Sequence, residues 1–190
     1  MNKKKHVIIS GIQGSGKGTQ ARLLEKKFGW VHIGTGALCR WHLTHRTTYG
    51  KELKAINQGS LAADDLMKRL LERRLEVHNP EYEFLLDGFP RNKAQMEYLF
   101  ERYDFKAVVF LDLDQEFAMQ RAQSRVDGKQ VRKDDNEAGL KRRFELFYEH
   151  TEPLTKIYAD MGILHRVNAK APIETVQKRI VDSLEKVGIV

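Results

Sequence analysis

The chain has 190 residues, 41% of them hydrophobic and 31% charged, which is enough for a packed domain and too apolar for a disordered chain. Its net charge of +7 favours anionic partners without choosing between nucleic acid and a polyphosphate. No stretch approaches the roughly 18 uninterrupted apolar residues of a membrane helix, the basic start lacks a signal-peptide cleavage site, and a lone cysteine, Cys39, excludes an internal disulfide.

These features predict a soluble protein of a reducing, cytoplasmic compartment, and no linker or repeat divides residues 1–190, so they read as one domain. Strands are expected at 6–10 (HVIIS), 31–33 (VHI), 84–87 (FLLD), 107–113 (AVVFLDL) and 163–168 (ILHRVN). The first, third and fourth are nearly all apolar, as strands covered on both faces must be. Helical patterns separate them, with Leu23, Leu24 and Phe28 after the first strand. Alternating strands and helices imply an α/β fold, a doubly wound parallel sheet with helices on both faces. Asp134 and Asp135 are placed to open a further helix, whose free N–H groups acidic side chains can cap. The last helix starts near Pro172 and repeats Ile173, Val176, Ile180, Leu184 and Val187 at helical spacing.

The first strand runs into GIQGSGKGTQ, Gly11 to Gln20, and then into a helix. In an open parallel sheet ligands gather at the carboxyl ends of strands, and a glycine-rich turn there can aim backbone N–H groups at phosphate oxygens. Gly14, Ser15, Gly16, Lys17, Gly18 and Thr19 are the candidate phosphate-binding residues, with Lys17 supplying a mobile positive charge. The residue after the lysine is Gly18, where many such loops carry a hydroxyl that holds Mg²⁺; Thr19 comes one place late.

GxxGxGKGTQ is the form found in nucleoside monophosphate kinases. HIGTGALCR (32–40) resembles the HxSTGDxLR segment of adenylate kinases, and FLLDGFPRNKAQ (84–95) closely matches their FLLDGFPRTxxQ. RKDDNEAGLKRR (132–143) is similar to their arginine-flanked DDNE segment, and TEPLTKIYADMGILHRVNA (151–169) to their C-terminal region. Motifs in this order resemble an adenylate kinase with a short lid.

The resemblance implies a P-loop NTPase-type sheet of five strands in the order 2-3-1-4-5 and the reaction ATP + AMP ⇌ 2 ADP with Mg²⁺. It also implies a monophosphate-binding segment near 34–63 and a lid near 123–136, too short for a zinc-bearing hairpin, so no structural zinc is expected. Carried onto matching positions, Thr35, Arg40, Gly88, Arg91, Gln95, Arg132 and Arg143 would bind AMP, with Gln95 reading the adenine edge. Lys17, Arg121 and Arg125 would bind ATP; Lys17, Arg91, Arg125, Arg132 and Arg143 would surround the moving phosphoryl group, and Asp87 would orient Mg²⁺ through water. Arg121 lies on a predicted helix, where a surface role is equally open. ATP and AMP are the implied partners, with no membrane, no nucleic acid and a monomeric state.

Phosphoryl transfer needs alignment and charge compensation rather than a covalent partner, and arginine forks supply both. A phosphate oxygen of AMP is already nucleophilic, so no general base is required. Gln13, Gly34 and Ala37 depart from the family's Pro, Ser and Asp, which puts loop rigidity and AMP selectivity in question. Asn92 has the form seen in UMP/CMP kinases, against the adenine-reading type at Gln95. A pyrimidine or other monophosphate kinase, and a nucleotide- or RNA-binding homologue without turnover, are the alternatives. His42 and His45 lack a third metal ligand, Cys39, Trp30 and Trp41 read as packing residues, and Lys3 to Lys5 as a solvated tail.

Overall fold

The computed structural model describes residues 5–55, 61–78, 82–124 and 137–190, with residues 61, 62 and 137 described by their backbone alone. Five strands, β1 (His6–Gly11), β2 (Val31–Gly34), β3 (Phe84–Asp87), β4 (Phe105–Asp112) and β5 (Leu164–Asn168), form one sheet in the order β2-β3-β1-β4-β5. Every neighbouring pair is parallel. The strand order matches the one implied by the resemblance, and the boundaries fall within two residues of the apolar runs. Asp87 stands level with Ile9 of β1 and Gly34 of β2, so β2 and β3 end flush while β1 runs on to Gly11, and their carboxyl ends form one rim.

The helices are α1 (Lys17–Phe28), α2 (Thr35–Thr44), α3 (Thr48–Ala55), α4 (Leu61–Glu76), α5 (Lys93–Phe100), α6 (Gln115–Gln123), α7 (Glu137–Leu146), α8 (Leu154–Asp160) and α9 (Ile173–Glu185). A single π-helical turn, Phe147–Thr151, follows α7. The period of two along β1 sends Val7 and Ile9 to one face and Ile8 to the other, giving two cores. On the first face Ala21 and Leu24 of α1 and Val176, Ile180 and Leu184 of α9 cover Leu85, Val109 and Leu111. On the second, Leu71 of α4, Met96 and Leu99 of α5, and Leu154 and Tyr158 of α8 cover Ile33, Leu86 and Val108. Burying one leucine-sized side chain in this way contributes roughly 1.5–3 kcal/mol.

Three expected packing residues lie elsewhere. Ile173 and Val187 are each about half exposed, because Ile173 is the first helical residue of α9 and Val187 falls past its last turn. After the helix the chain folds back and Ile189 joins the first core in their place. Trp41 is 52% exposed, stacked on His45 at a 4.4 Å centroid distance, whereas Trp30 is buried as anticipated. Asp134, Asp135, Arg125, Arg132 and most of the lid range lie outside the described residues; α7 is described from Glu137.

Candidate active site

The glycine-rich turn is shaped by its contacts. Gly14 has φ 92° and a Cβ there would lie 2.4 Å from the carbonyl oxygen of Ala118, so the turn presses against α6 at a point where no side chain fits. Gly16, also at positive φ, caps α1, and its carbonyl accepts from the N–H groups of Thr19 and Gln20 at 3.0 Å. Ser15 N–H donates to Ile12 O at 3.1 Å, while the Ser15 hydroxyl is buried without a partner among the described residues. Lys17 folds over the turn and donates to Gly11 O at 2.7 Å and Ile12 O at 2.9 Å. An ammonium held on main-chain carbonyls has a weak grip that a phosphate oxygen can compete for.

Gly18 brings α1 against the end of β3, where a Cβ on it would lie 3.3 Å from Asp87 Oδ2. That oxygen is also 3.5 Å from His32 Nε2 on β2. Burial pushes the Asp87 carboxyl up, but contact with His32 and the charges of Lys17 and Arg91 outweigh it and hold its pKa below the usual value. The aspartate is therefore ionised at neutral pH, a hard oxygen donor at the rim where the phosphate turn begins. Its chemistry fits Mg²⁺ held through water, and Gly18 contributes no side-chain ligand.

After β3 the chain turns at Gly88 (φ 83°) and passes a cis Phe89–Pro90 bond. Thr35, fully buried at the start of α2, donates its hydroxyl to Gly88 O at 2.9 Å and approaches Asp87 O at 3.2 Å, which joins α2 to this turn. Arg91 Nε donates to Gly88 O at 2.8 Å, and the Arg91 carbonyl accepts from the Thr151 hydroxyl at 2.8 Å. The Arg91 guanidinium reaches solvent but is crowded by the surrounding chain; that desolvation and repulsion from Arg143 lower its pKa without discharging it, since guanidinium stays protonated far above neutrality. Arg40 is exposed, with Nη1 3.2 Å from the place a Cβ on Gly36 would occupy. Cys39 is near Arg91 and Arg40, yet burial pushes its thiol up and its sulfur lies 3.5 Å from Met67 Sδ, the surroundings of a packing residue.

Gln95 on α5 is buried, with Oε1 accepting from Arg91 N at 2.8 Å and Nε2 donating to Asp64 Oδ1 at 2.6 Å. Asn92 caps α5, its Oδ1 accepting from Gln95 N at 2.9 Å, and donates to Asp64 Oδ2 at 2.7 Å. Arg121 stands apart from this group: its guanidinium donates to Ala169 O and Ala171 O, at 3.0 and 3.3 Å, and lies over the Phe117 ring. Lys17, Thr35, Asp87, Gly88 and Arg91 thus come together at the rim, with Arg143 in electrostatic reach of Arg91, and Arg121 edges the loop after β5.

The adenylate kinase family model matches residues 9–163, which includes the phosphate turn, β3 and the turn after it. The chain belongs to the adenylate kinase family. It is 34% identical over 183 residues to an adenylate kinase of Prochlorococcus marinus subsp. pastoris, covering 93% of this chain and 96% of that one. With an adenylate kinase of Brucella melitensis biotype 1 it shares 35% identity over 185 residues, covering 92% and 95% of the two chains. A second Prochlorococcus marinus adenylate kinase is 35% identical over 187 residues, covering 95% and 99%.

Two departures from the family's pattern have local explanations. Gly34 leaves room for His32, since a Cβ there would lie 3.3 Å from His32 Nε2 and crowd its approach to Asp87. Ala37 is exposed on α2, so its methyl leaves no buried group without a partner. Asp64 and Thr151 escaped the sequence reading. Asp64 looks like any acidic residue in the first turn of a helix, and its contacts lie 28 and 31 residues away along the chain. His32 belongs to a matched motif, but its contact with Asp87 depends on the flush ends of β2 and β3.

Proposed function

We propose that the chain catalyses reversible transfer of the γ-phosphoryl group of ATP to AMP, giving two ADP. The observation that supports this best is the convergence of Lys17, Asp87 and Arg91 on one rim of the sheet, next to the glycine turn that leads into α1.

ATP would lie along GIQGSGKGTQ, with Lys17 exchanging its carbonyl partners for β- and γ-phosphate oxygens and Arg121 among the residues that hold ATP. AMP would lie over the turn at Gly88, with Thr35 near its sugar and phosphate, Arg40 and Arg91 on the phosphate, and Gln95 on the adenine. A phosphate oxygen of AMP attacks the γ-phosphorus while the bond to the β–γ bridging oxygen breaks, so ADP leaves as the second ADP forms and no proton moves. Arg91 and Arg143, like charges held near one another, are relieved by the anion between them, and Arg125 and Arg132 complete the compensation. Asp87 would hold Mg²⁺ through water, and the ion would neutralise charge on the β- and γ-phosphates. Closure of the 123–136 segment over both nucleotides would exclude water as a competing acceptor. We take the enzyme to work as a cytoplasmic monomer; no helix among the described residues is long and apolar enough to cross a membrane.

Coupled assays with ATP against AMP, dAMP, CMP and UMP, with and without Mg²⁺, test the reading. Mg²⁺-dependent ADP formation fastest with AMP is the expected result. Faster turnover of CMP or UMP, or nucleotide binding without ADP formation, overturns it.

A further inference from the structure

Asp64 receives two donors on its two carboxylate oxygens, Gln95 Nε2 at 2.6 Å and Asn92 Nδ2 at 2.7 Å. The other ends of those amides are also committed, since Asn92 Oδ1 accepts from Gln95 N at 2.9 Å and Gln95 Oε1 accepts from Arg91 N at 2.8 Å. A carboxylate only accepts and a backbone N–H only donates, so both amides have a single permitted orientation, fixed by the chemistry of their partners. The Gln95 side chain is buried with Oε1 toward one backbone N–H and one Nε2 hydrogen toward Asp64, and each amide atom keeps capacity for one more hydrogen bond.

We propose that Asp64 is a specificity-determining positioning residue, which locks the Gln95 amide in the orientation that accepts from N6 and donates to N1 of adenine. The inference rests on the reading that Gln95 meets the AMP base. An amide held this way pairs with an amino donor beside a ring acceptor. It meets the inverted pattern of a 6-oxopurine, acceptor at O6 and donor at N1, with donor against donor and acceptor against acceptor. Turning the amide over to suit that base would set its NH₂ against Arg91 N–H and its oxygen against the Asp64 carboxylate. Asn92 has a matching part: it caps α5 and holds the second oxygen of Asp64, which accounts for its presence without any preference for pyrimidines.

Substituting Asp64→Asn leaves one acceptor facing two N–H donors, so Gln95 must compete with Asn92 for the remaining oxygen and is no longer held in a single orientation. Exchanging the pair, Asp64→Asn with Asn92→Asp, keeps donor facing acceptor at every contact in this cluster. The measurement is kcat/KM with AMP and with inosine monophosphate, MgATP being saturating, for wild type, Asp64→Asn, the double exchange and Gln95→Ala, with melting temperatures alongside. The single change should lower the AMP-to-IMP ratio by about tenfold or more, mainly through KM for AMP, and the double exchange should restore it; a purely structural role would depress both substrates together. An unchanged ratio in Asp64→Asn beside a lowered one in Gln95→Ala overturns the role of Asp64 while leaving Gln95 as the base reader. A double exchange as poor as the single change also overturns it. Unchanged ratios in both Asp64→Asn and Gln95→Ala remove Gln95 from the base, and the inference with it, without touching the ATP:AMP activity.

Discussion

Gly18 and Asp87 are in close approach: a Cβ on residue 18 would lie 3.3 Å from Asp87 Oδ2. Many phosphate-binding loops place a metal-holding hydroxyl where this chain has Gly18, and here the acidic residue occupies the space such a side chain would need. Gly18→Ser should therefore impair the enzyme instead of supplying a missing ligand. Its hydroxyl would donate to the carboxylate and displace water from it, and kcat/KM with MgATP should fall about tenfold, the equivalent of about 1.4 kcal/mol. A Mg²⁺ titration of the variant checks this, and equal or faster turnover contradicts it.

The same carboxylate makes stability depend on pH. Because contact with His32 and the charges of Lys17 and Arg91 hold the folded pKa of Asp87 below its ordinary value of 3.8, ionised Asp87 favours the folded state. That contribution is fully present above the unfolded pKa and is lost as pH falls through the lower folded pKa. Asp87→Asn should be less stable than wild type at pH 7, with the difference shrinking below about pH 4. Urea unfolding at pH 7, 5, 4 and 3 reads the trend. A constant difference between wild type and variant across that range contradicts it.

The sheet was legible because strands covered on both faces leave apolar runs, as at Val7 to Ile9 and Phe84 to Leu86. Strand order was legible only through the family resemblance, since nothing in the runs says that β3 lies between β1 and β2. Periodicity overestimated burial at the ends of α9, where Ile173 and Val187 keep the helical spacing but extend past the surface they would pack on. Trp41 shows the same limit, as a large apolar side chain on α2 that faces solvent. The site divides in a similar way. Lys17, Asp87, Gly88 and Arg91 lie within local motifs, whereas the cluster joining Asp64 to Asn92 and Gln95 exists only once α4 meets α5.

Thr35, the first residue of α2, links that helix to the turn that follows β3. Its buried hydroxyl donates to Gly88 O, which keeps a second donor in Arg91 Nε, and approaches Asp87 O. Thr35→Val keeps the shape and removes the donor, so stability should fall by about 1 kcal/mol and Tm by about 2–4 °C, while Thr35→Ser should retain most of the bond. Thermal unfolding of the two variants separates the hydroxyl from the volume. KM for AMP should rise in the valine variant alone, because the turn beneath the proposed phosphate position loses its tie to α2.

Arg91 allows stability and activity to be separated. Its main-chain bonds, from its N–H to Gln95 Oε1 and from Thr151 to its carbonyl, survive truncation of the side chain. What Arg91→Ala removes is one exposed Nε bond to Gly88 O and the guanidinium itself. Tm should therefore change by no more than about 2–4 °C, the equivalent of about 1 kcal/mol. By contrast, kcat/KM should fall by about 10³-fold or more, since a bidentate arginine on a transferring phosphoryl group contributes on that order. Arg91→Lys should recover little of the loss, because an ammonium keeps the charge but not the planar fork. Near-normal kinetics in Arg91→Ala would take this residue out of the transition state, and a large loss of Tm would make it a structural group.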